Sequence, residues 1–397
     1  MTNLLATDVN LNKFCYYPET GSTLQEKLID CYRQFNEGYL GISISKNSVI
    51  KQTVFIAVTD QTEYFQSKQK LLSCAKDFFG ELPPTSVLAQ SPENGSLAVE
   101  FVTIDGIKTE EITYKQNKEV SWLVIQRGGS KIIVASNLGE NSENGNILLQ
   151  SESSFRQLDE ILNLEGMEFS DIIRQWNYIE RITDVYDEEK SPSQHYQIFN
   201  DVRSKYYQKS RFTNGFPAAT GIGSDFGGII IDVVAAKLEN EKSIVAVKSP
   251  VQLDAYTYSS EVLADNNTMC DFCRTTPKFE RAKILITQEK KWIMISGTAA
   301  ILGQQSSDQI LVSQQTEMTI QNILQLISIE NMALHGILVS ENARIKSLRV
   351  YVKYKNDIQE VKNICERYFP NLQILYVVAD ICRPELLVEI EGVAELS

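Results

Sequence analysis

Apolar and polar positions follow one order twice along this chain. Trp122-Leu123-Val124-Ile125 and then residues 131–139 predict strands that end in the small residues Ser136-Asn137-Leu138-Gly139, and Trp292-Ile293-Met294-Ile295 runs likewise into Ser296-Gly297-Thr298-Ala299. Each strand pattern is followed by a helical spacing of apolar residues, Phe155, Leu158, Ile161 and Leu162 in the first case and Ile320, Ile323, Leu324, Leu326 and Ile327 in the second. An alternating strand comes next, Arg174-Gln175-Trp176-Asn177-Tyr178-Ile179 against Arg349-Val350-Tyr351-Val352-Lys353-Tyr354, with arginine at the same place in both. A second helix, about 194–207 and about 357–368, leads to Phe216-Pro217 and Phe369-Pro370, and each copy closes on an apolar strand. A repeated unit of roughly 115–120 residues is an ordinary domain size. Residues 1 to about 120 are less regular. Strand patterns near 51–58 and 95–103 flank a helical one at 64–79, which fits either a degenerate third copy or a separate cap. The expected division is 1–120, a first unit at 121–240, a connecting segment at 241–278 and a second unit at 279–397.

The final strand carries the sharpest chemical signal. Glu389 and Glu391 lie two residues apart between Leu387, Val388, Ile390 and Val393, so both carboxylates point to one face, roughly 6–7 Å apart. Two acids on a buried face push one pKa upward and leave a carboxylic acid protonated near neutrality, which makes a general acid. Pairing with Arg or Lys of a neighbouring strand explains the same pattern. Aligning Ile231-Asp232-Val233-Val234-Ala235 with Ile390-Glu391-Gly392-Val393-Ala394 puts Asp232 opposite Glu391 and Ile230 opposite Glu389, so one acid recurs and the other does not.

Composition narrows the classes. The 397 residues are 43% apolar and 22% charged, as in globular proteins, and a net charge of -13 argues against a nucleic-acid partner. No apolar run approaches a membrane span, and the first residues lack the pattern of a signal peptide, so a cytoplasmic protein without a membrane partner is expected. Seven scattered cysteines read as reduced thiols. Cys270-Asp271-Phe272-Cys273 has no second pair, and the only histidines are His195 and His335, so no metal is expected. In Gly221-Ile222-Gly223-Ser224-Asp225-Phe226-Gly227 the third glycine falls one residue too late for a dinucleotide loop, and a strand rather than a helix follows.

Groups suited to a carboxylated small molecule remain. Arg174, Trp176 and Tyr178 share a strand face, where a guanidinium can grip a carboxylate through two hydrogen bonds; the same face also fits packing beneath a helix. Arg203, Tyr206 and Arg211 follow on the second helix and its exit, and Cys382 and Arg383 enter the last strand.

These motifs carry a family resemblance. Ile295-Ser296-Gly297-Thr298-Ala299, Gln315, Asn322-Ile323-Leu324 and the stretch from Cys382-Arg383-Pro384 to Glu389-Ile390-Glu391-Gly392 look like the RidA/YjgF fold. The span from about 120 to 397, with Arg174 to Ile179, Pro217 to Gly223 and Ser249-Pro250-Val251-Gln252 through Ala255-Tyr256-Thr257-Tyr258, resembles the chorismatases, which cleave chorismate and are built from RidA-like units. The resemblance implies an α+β architecture of tandem RidA/YjgF-like, chorismate-mutase-like units, with mixed sheets, helices packed on one face and a pseudo-trimeric arrangement. It implies cleavage of chorismate to pyruvate and 3-hydroxybenzoate without metal or organic cofactor, by a monomer or small homo-oligomer. Glu389 would be the acid, with Cys382 the second catalytic residue. Arg174, Tyr178, Arg203, Tyr206, Arg211, Thr220 and Gly221 from the first unit would bind substrate with Thr298, Ala299 and Arg383 from the second. Cys382 and Ala299 are similar to the aromatising branch rather than the branch releasing a dihydroxycyclohexadiene carboxylate. An imine deaminase of the RidA kind, a chorismate hydrolase releasing a dihydroxycyclohexadiene carboxylate and a non-catalytic ligand-binding protein are the alternatives.

Overall fold

A computed structural model describes residues 10–38, 46–117, 120–139, 146–186, 193–208, 212–263, 274–287, 290–307 and 311–396. The N-terminal part contains β1 (Asn10–Tyr16), α1 (Leu24–Glu37), β2 (Val49–Ile56), α2 (Gln61–Phe79), β3 (Thr85–Leu88) and β4 (Leu97–Asp105), in the sheet order β1-β4-β2-β3. Helix α1 starts where the Thr23 hydroxyl accepts from the Glu26 backbone and the Glu26 carboxylate caps in return; Asp60 caps α2. All of β2 is buried, Lys51, Gln52 and Thr53 included.

The next sheet has β5 (Ile112–Asn117), β6 (Val120–Arg127), β7 (Ser130–Leu138), β8 (Ile172–Glu180), β11 (Ala218–Ser224) and β12 (Ile229–Lys237). Its helices are α3 (Ile147–Leu164) and α4 (His195–Tyr206), and the short strands β9 (Val185–Tyr186) and β10 (Ser193–Gln194) pair separately. The last sheet has β13 (Ile244–Val247), β14 (Ala282–Ile286), β15 (Lys291–Ala299), β18 (Arg344–Val352), β19 (Ile374–Val378) and β20 (Val388–Leu396). With it go the hairpin β16 (Ile301–Leu302) and β17 (Gln305–Ser306) and helices α5 (Val312–Leu326), α6 (Ile329–Leu334) and α7 (Ile358–Tyr368). The orders are β11-β8-β12-β7-β6-β5 and β13-β14-β15-β20-β18-β19.

All three sheets share a four-strand core, β1-β4-β2-β3, β7-β12-β8-β11 and β15-β20-β18-β19, in which the last two strands are parallel and the closing strand is antiparallel to both neighbours. Two strands differ from the expected division: β5 joins the first unit's sheet from before residue 121, and β13 joins the second unit's sheet from inside the presumed connecting segment. Both extend a sheet at its edge, where a short strand has no long apolar pattern to announce it.

The ladders fix which positions correspond. Asp232 faces Trp176 and Ile230 faces Tyr178, whereas Glu391 faces Arg349 and Glu389 faces Tyr351. Asp232 therefore matches Glu391, and Ile230 matches Glu389. The arginines, however, do not match: Arg349 occupies the place of Trp176, two residues beyond that of Arg174. A slip of two keeps every side chain on its face, so hydrophobic alternation cannot detect it.

Each closing strand also carries a buried acid tied to a different sheet. Lys51 of β2 pairs with Asp232 at 2.8 Å, Arg174 of β8 with Glu391 at 2.5 Å, and Arg349 of β18 with Glu100 of β4, which Lys13 of β1 also reaches at 2.8 Å. Among the described residues, no helix is long and apolar enough to cross a membrane.

Candidate functional site

Strand β11 of the first unit lies against β15 of the second. The Ala219 amide donates to the Ser296 hydroxyl (2.9 Å), and the Gly297 amide donates to the Thr220 hydroxyl (3.1 Å). At this seam the ladder between β15 and β20 slips between Ile295/Gly392 and Thr298/Ile390, leaving Ser296 and Gly297 as the extra residues of a bulge opposite Glu391. A cavity of about 590 Å³ opens beside the bulge. Ala219, Gly221, Gly297, Ala299 and Glu389 line it from the strands, and Tyr196, Asn200 and Arg203 from α4. Tyr258, Phe279 and Arg281 come from the segment between β13 and β14, and Cys382 and Arg383 from the turn before β20.

Glu389 is 5% exposed, and its carboxyl has no hydrogen-bond partner among the described residues. Burial first, and the Glu391 charge second, push it up to about 8 against the pull of Arg174 and Arg281. It is therefore chiefly a neutral acid at pH 7. Room for it depends on Gly297, because a Cβ there would collide with Glu389 Oε1. Gly221 similarly makes room for Tyr196, whose ring carbon would stand 2.9 Å from an added Cβ.

Glu391 has the opposite environment. Arg174 Nη2 (2.5 Å), Trp176 Nε1 (2.9 Å), Tyr351 OH (3.2 Å) and the Thr220 hydroxyl all donate to it, and Arg349 Nη1 lies 3.1 Å away. Burial alone would raise Glu391, but Arg349 and Arg174 hold it below the usual carboxylate range. One strand face thus carries a neutral acid beside a fixed carboxylate.

Three cavity arginines have no carboxylate partner among the described residues. Arg203 donates through Nη2 to Asn200 Oδ1 (2.5 Å), while its Nε and Asn200 Nδ2 are buried without hydrogen-bond partners there. Arg281 donates to the Leu253 carbonyl and to Tyr258 OH (2.6 Å), and Arg383 to the Gln304 carbonyl and Ser306 hydroxyl, both at 2.9 Å. The Tyr258 ring lies between them, 5.8 Å from the Arg281 guanidinium and 5.4 Å from that of Arg383. Cys382 remains a thiol, since burial and then the Glu389 charge push it up to about 12.

Of the residues expected at the site, Glu389, Cys382, Arg203, Gly221, Ala299 and Arg383 meet in this cavity. Arg174 does not: it stacks on Trp176, 4.5 Å from the ring, and is spent on Glu391 and Thr220. Tyr178 is buried, with its hydroxyl accepting from Arg349 (3.0 Å). Tyr206 stacks on Phe155 in the first unit's core. Thr220 serves the Glu391 clamp, and Thr298 donates to the Ser296 carbonyl on the opposite face from the cavity-lining Ala299. A shared sheet face identified these groups as neighbours, but it did not reveal that another sheet covers the face. Arg211, Cys270 and Cys273 lie outside the described residues. Sequence reasoning missed Tyr196, Asn200, Phe279, Arg281 and Gly297 as cavity residues; Tyr258 stood in a quoted motif without a role. Among the described residues, no group of three or more His, Cys, Asp or Glu side chains gathers as metal ligands.

Residues 107–235 match the chorismatase FkbO/Hyg5-like N-terminal family. A 3-hydroxybenzoate synthase of Streptomyces hygroscopicus is 31% identical over 237 residues, covering 58% of this chain and 65% of that protein. A chorismatase of Streptomyces rapamycinicus is 33% identical over 181 residues, covering 45% of this chain and 50% of its own length. The aligned segments thus span less than two thirds of both relatives. A chorismatase crystal structure is similar over 97% of this chain and 99% of its own, with 20% identity and a TM-score of 0.68. The α+β fold implied by the sequence is borne out, as is the resemblance to chorismatases.

Proposed function

We propose that this chain, which resembles the chorismatases in sequence and fold, cleaves chorismate to pyruvate and 3-hydroxybenzoate with Glu389 as the acid. The observation that carries the reading is a neutral, unpartnered carboxyl facing a cavity with three arginines free of carboxylate partners among the described residues. Chorismate has two carboxylates and an enolpyruvyl ether. Protonating the methylene carbon of the ether creates an oxocarbenium centre; the ring C3–O bond then breaks and pyruvate leaves as the C4 hydroxyl oxygen bonds to C3 and returns its proton to Glu389, and opening of that epoxide at C4, with the C3 hydrogen lost as a proton and the oxygen on C3 protonated, gives 3-hydroxybenzoate. Arginines fixed before the reaction hold the carboxylates without reorganising, and the developing cation is born beside Glu389 carboxylate and Glu391. Arg203, with an unused buried Nε, suits one carboxylate, and Arg281 and Arg383 beside Tyr258 suit the other.

Loss of pyruvate and ring aromatisation consume no water overall, whereas release of a dihydroxycyclohexadiene carboxylate consumes one. Cys382 and Ala299 on the cavity wall, together with the name of the 3-hydroxybenzoate synthase relative, favour the aromatising outcome. Incubating the purified protein with chorismate and identifying products by mass is the test. Equimolar pyruvate and 3-hydroxybenzoate are expected. Intact chorismate would overturn the reading, and ammonia release from 2-aminoacrylate instead would favour imine deamination.

A further inference from the structure

A second cavity, about 210 Å³, lies on the far side of the Glu391 clamp where strands of all three sheets meet. Its walls are largely apolar, Val134, Ile173, Val234 and Met294 among them, and its charged lining is Lys13, Lys51, Lys346, Arg174, Glu100 and Glu391. The charges at that end do not cancel. Among the described residues, Lys13, Arg174 and Arg349 share two acids, Glu100 and Glu391, while Lys51 is paired separately with Asp232 and Lys346 with Glu395. When Lys13 is protonated, this network carries one positive charge more than its acids neutralise. Arg174, only 3% exposed, also lines the chamber with an Nη1 that lacks a hydrogen-bond partner among the described residues, and the buried Ser347 hydroxyl, likewise without one, lines it too. A buried guanidinium nitrogen left unpaired costs free energy that an anion recovers.

We infer that this chamber is a second ligand site, taking a small monoanionic carboxylate with a compact apolar body. Its headgroup would meet Arg174 Nη1 and the Ser347 hydroxyl, and its body the aliphatic walls. An apolar cavity of roughly 150 Å³ holds a benzene ring, so a single-ring acid fits. Glu391 does not repel it, because that carboxylate is already shared among Arg174, Trp176, Thr220, Tyr351 and Arg349. A dianion would exceed the surplus charge, which separates this site from the cavity with three arginines. Burial pushes the Lys13 ammonium down, only partly offset by Glu100, so an arriving anion would also secure its proton.

The test uses 4-bromobenzoate and the full chain, and it stands whether or not chorismate is cleaved. Calorimetry should show binding at least tenfold tighter than that of 4-bromobenzyl alcohol, and bromine anomalous scattering from crystals with 4-bromobenzoate should place the ring in the chamber with its carboxylate on Arg174. Met294→Trp, which fills the chamber, should abolish that bromine site while bromine in the Glu389 cavity persists. Bromine confined to the Glu389 cavity would overturn the inference. So would equal affinity for acid and alcohol at the chamber, and both of these results can be read from the wild-type protein if Met294→Trp fails to fold.

Discussion

The closing strands β12 and β20 occupy the same place in two sheets of the same order, and both have a bulge opposite the shared acid. At Asp232 and Glu391 they solve one problem alike, by burying a carboxylate on a cation from another sheet. Two residues earlier they part. Ile230 is absorbed into the apolar cluster that joins the first unit to the N-terminal sheet, whereas Glu389 faces a cavity and keeps its proton. The bulge residue differs too: Asn137 holds a φ of 62° and gives its amide to Asp232, while Gly297 leaves the space that the Glu389 carboxyl fills. The two copies share a structural acid, and only β20 adds a second acid and a residue without a side chain beside it.

The largest expected effect separates the two strands by activity. Glu389→Gln should lower pyruvate release by about 10²–10⁴-fold, the usual contribution of a general acid, with no fall in melting temperature at pH 7. A coupled pyruvate assay beside a thermal melt checks both halves. Next come the shared acids. Asp232→Ala and Glu391→Ala should each cost about 3–5 kcal/mol in urea unfolding, because each strands a buried cation. If Glu391→Ala proved as stable as the parent, the clamp would not be structural.

Gly297→Ala should cost about 1–3 kcal/mol through overpacking and reduce pyruvate release, while Asn137→Ala should leave pyruvate release unchanged. Steady-state rates and denaturation of the pair would break the correspondence if Asn137→Ala were the more damaging to activity. The smallest effect is in pH. With the acid form active and Glu389 near 8, the rate should fall about twofold from pH 7 to 8, about fivefold from 8 to 9 and about tenfold per pH unit beyond, a limb absent from Glu389→Gln. A raised carboxyl pKa in the folded state favours folding below its ordinary value of 4.5; that advantage is lost as pH rises from 4.5 towards 8. Wild type should therefore lose stability relative to Glu389→Gln over that window, as measured by urea unfolding at several pH values.

The sequence by itself determined the two regular copies, the helices at three- and four-residue spacing, and the match of Ile230 to Glu389. Those are properties of local periodicity and of order along the chain. Tertiary structure alone decided that Arg174, Tyr178 and Thr220 look away from the Glu389 cavity and that Arg281 and Tyr196 look into it. A strand pattern shows which side chains share a face, but not which element from another unit covers it. The opposite pKa directions of Glu389 and Glu391 are likewise tertiary: burial and then the Glu391 charge raise Glu389, whereas Arg349 and Arg174, one from each unit, outweigh burial at Glu391, because charge acts through space rather than along the chain.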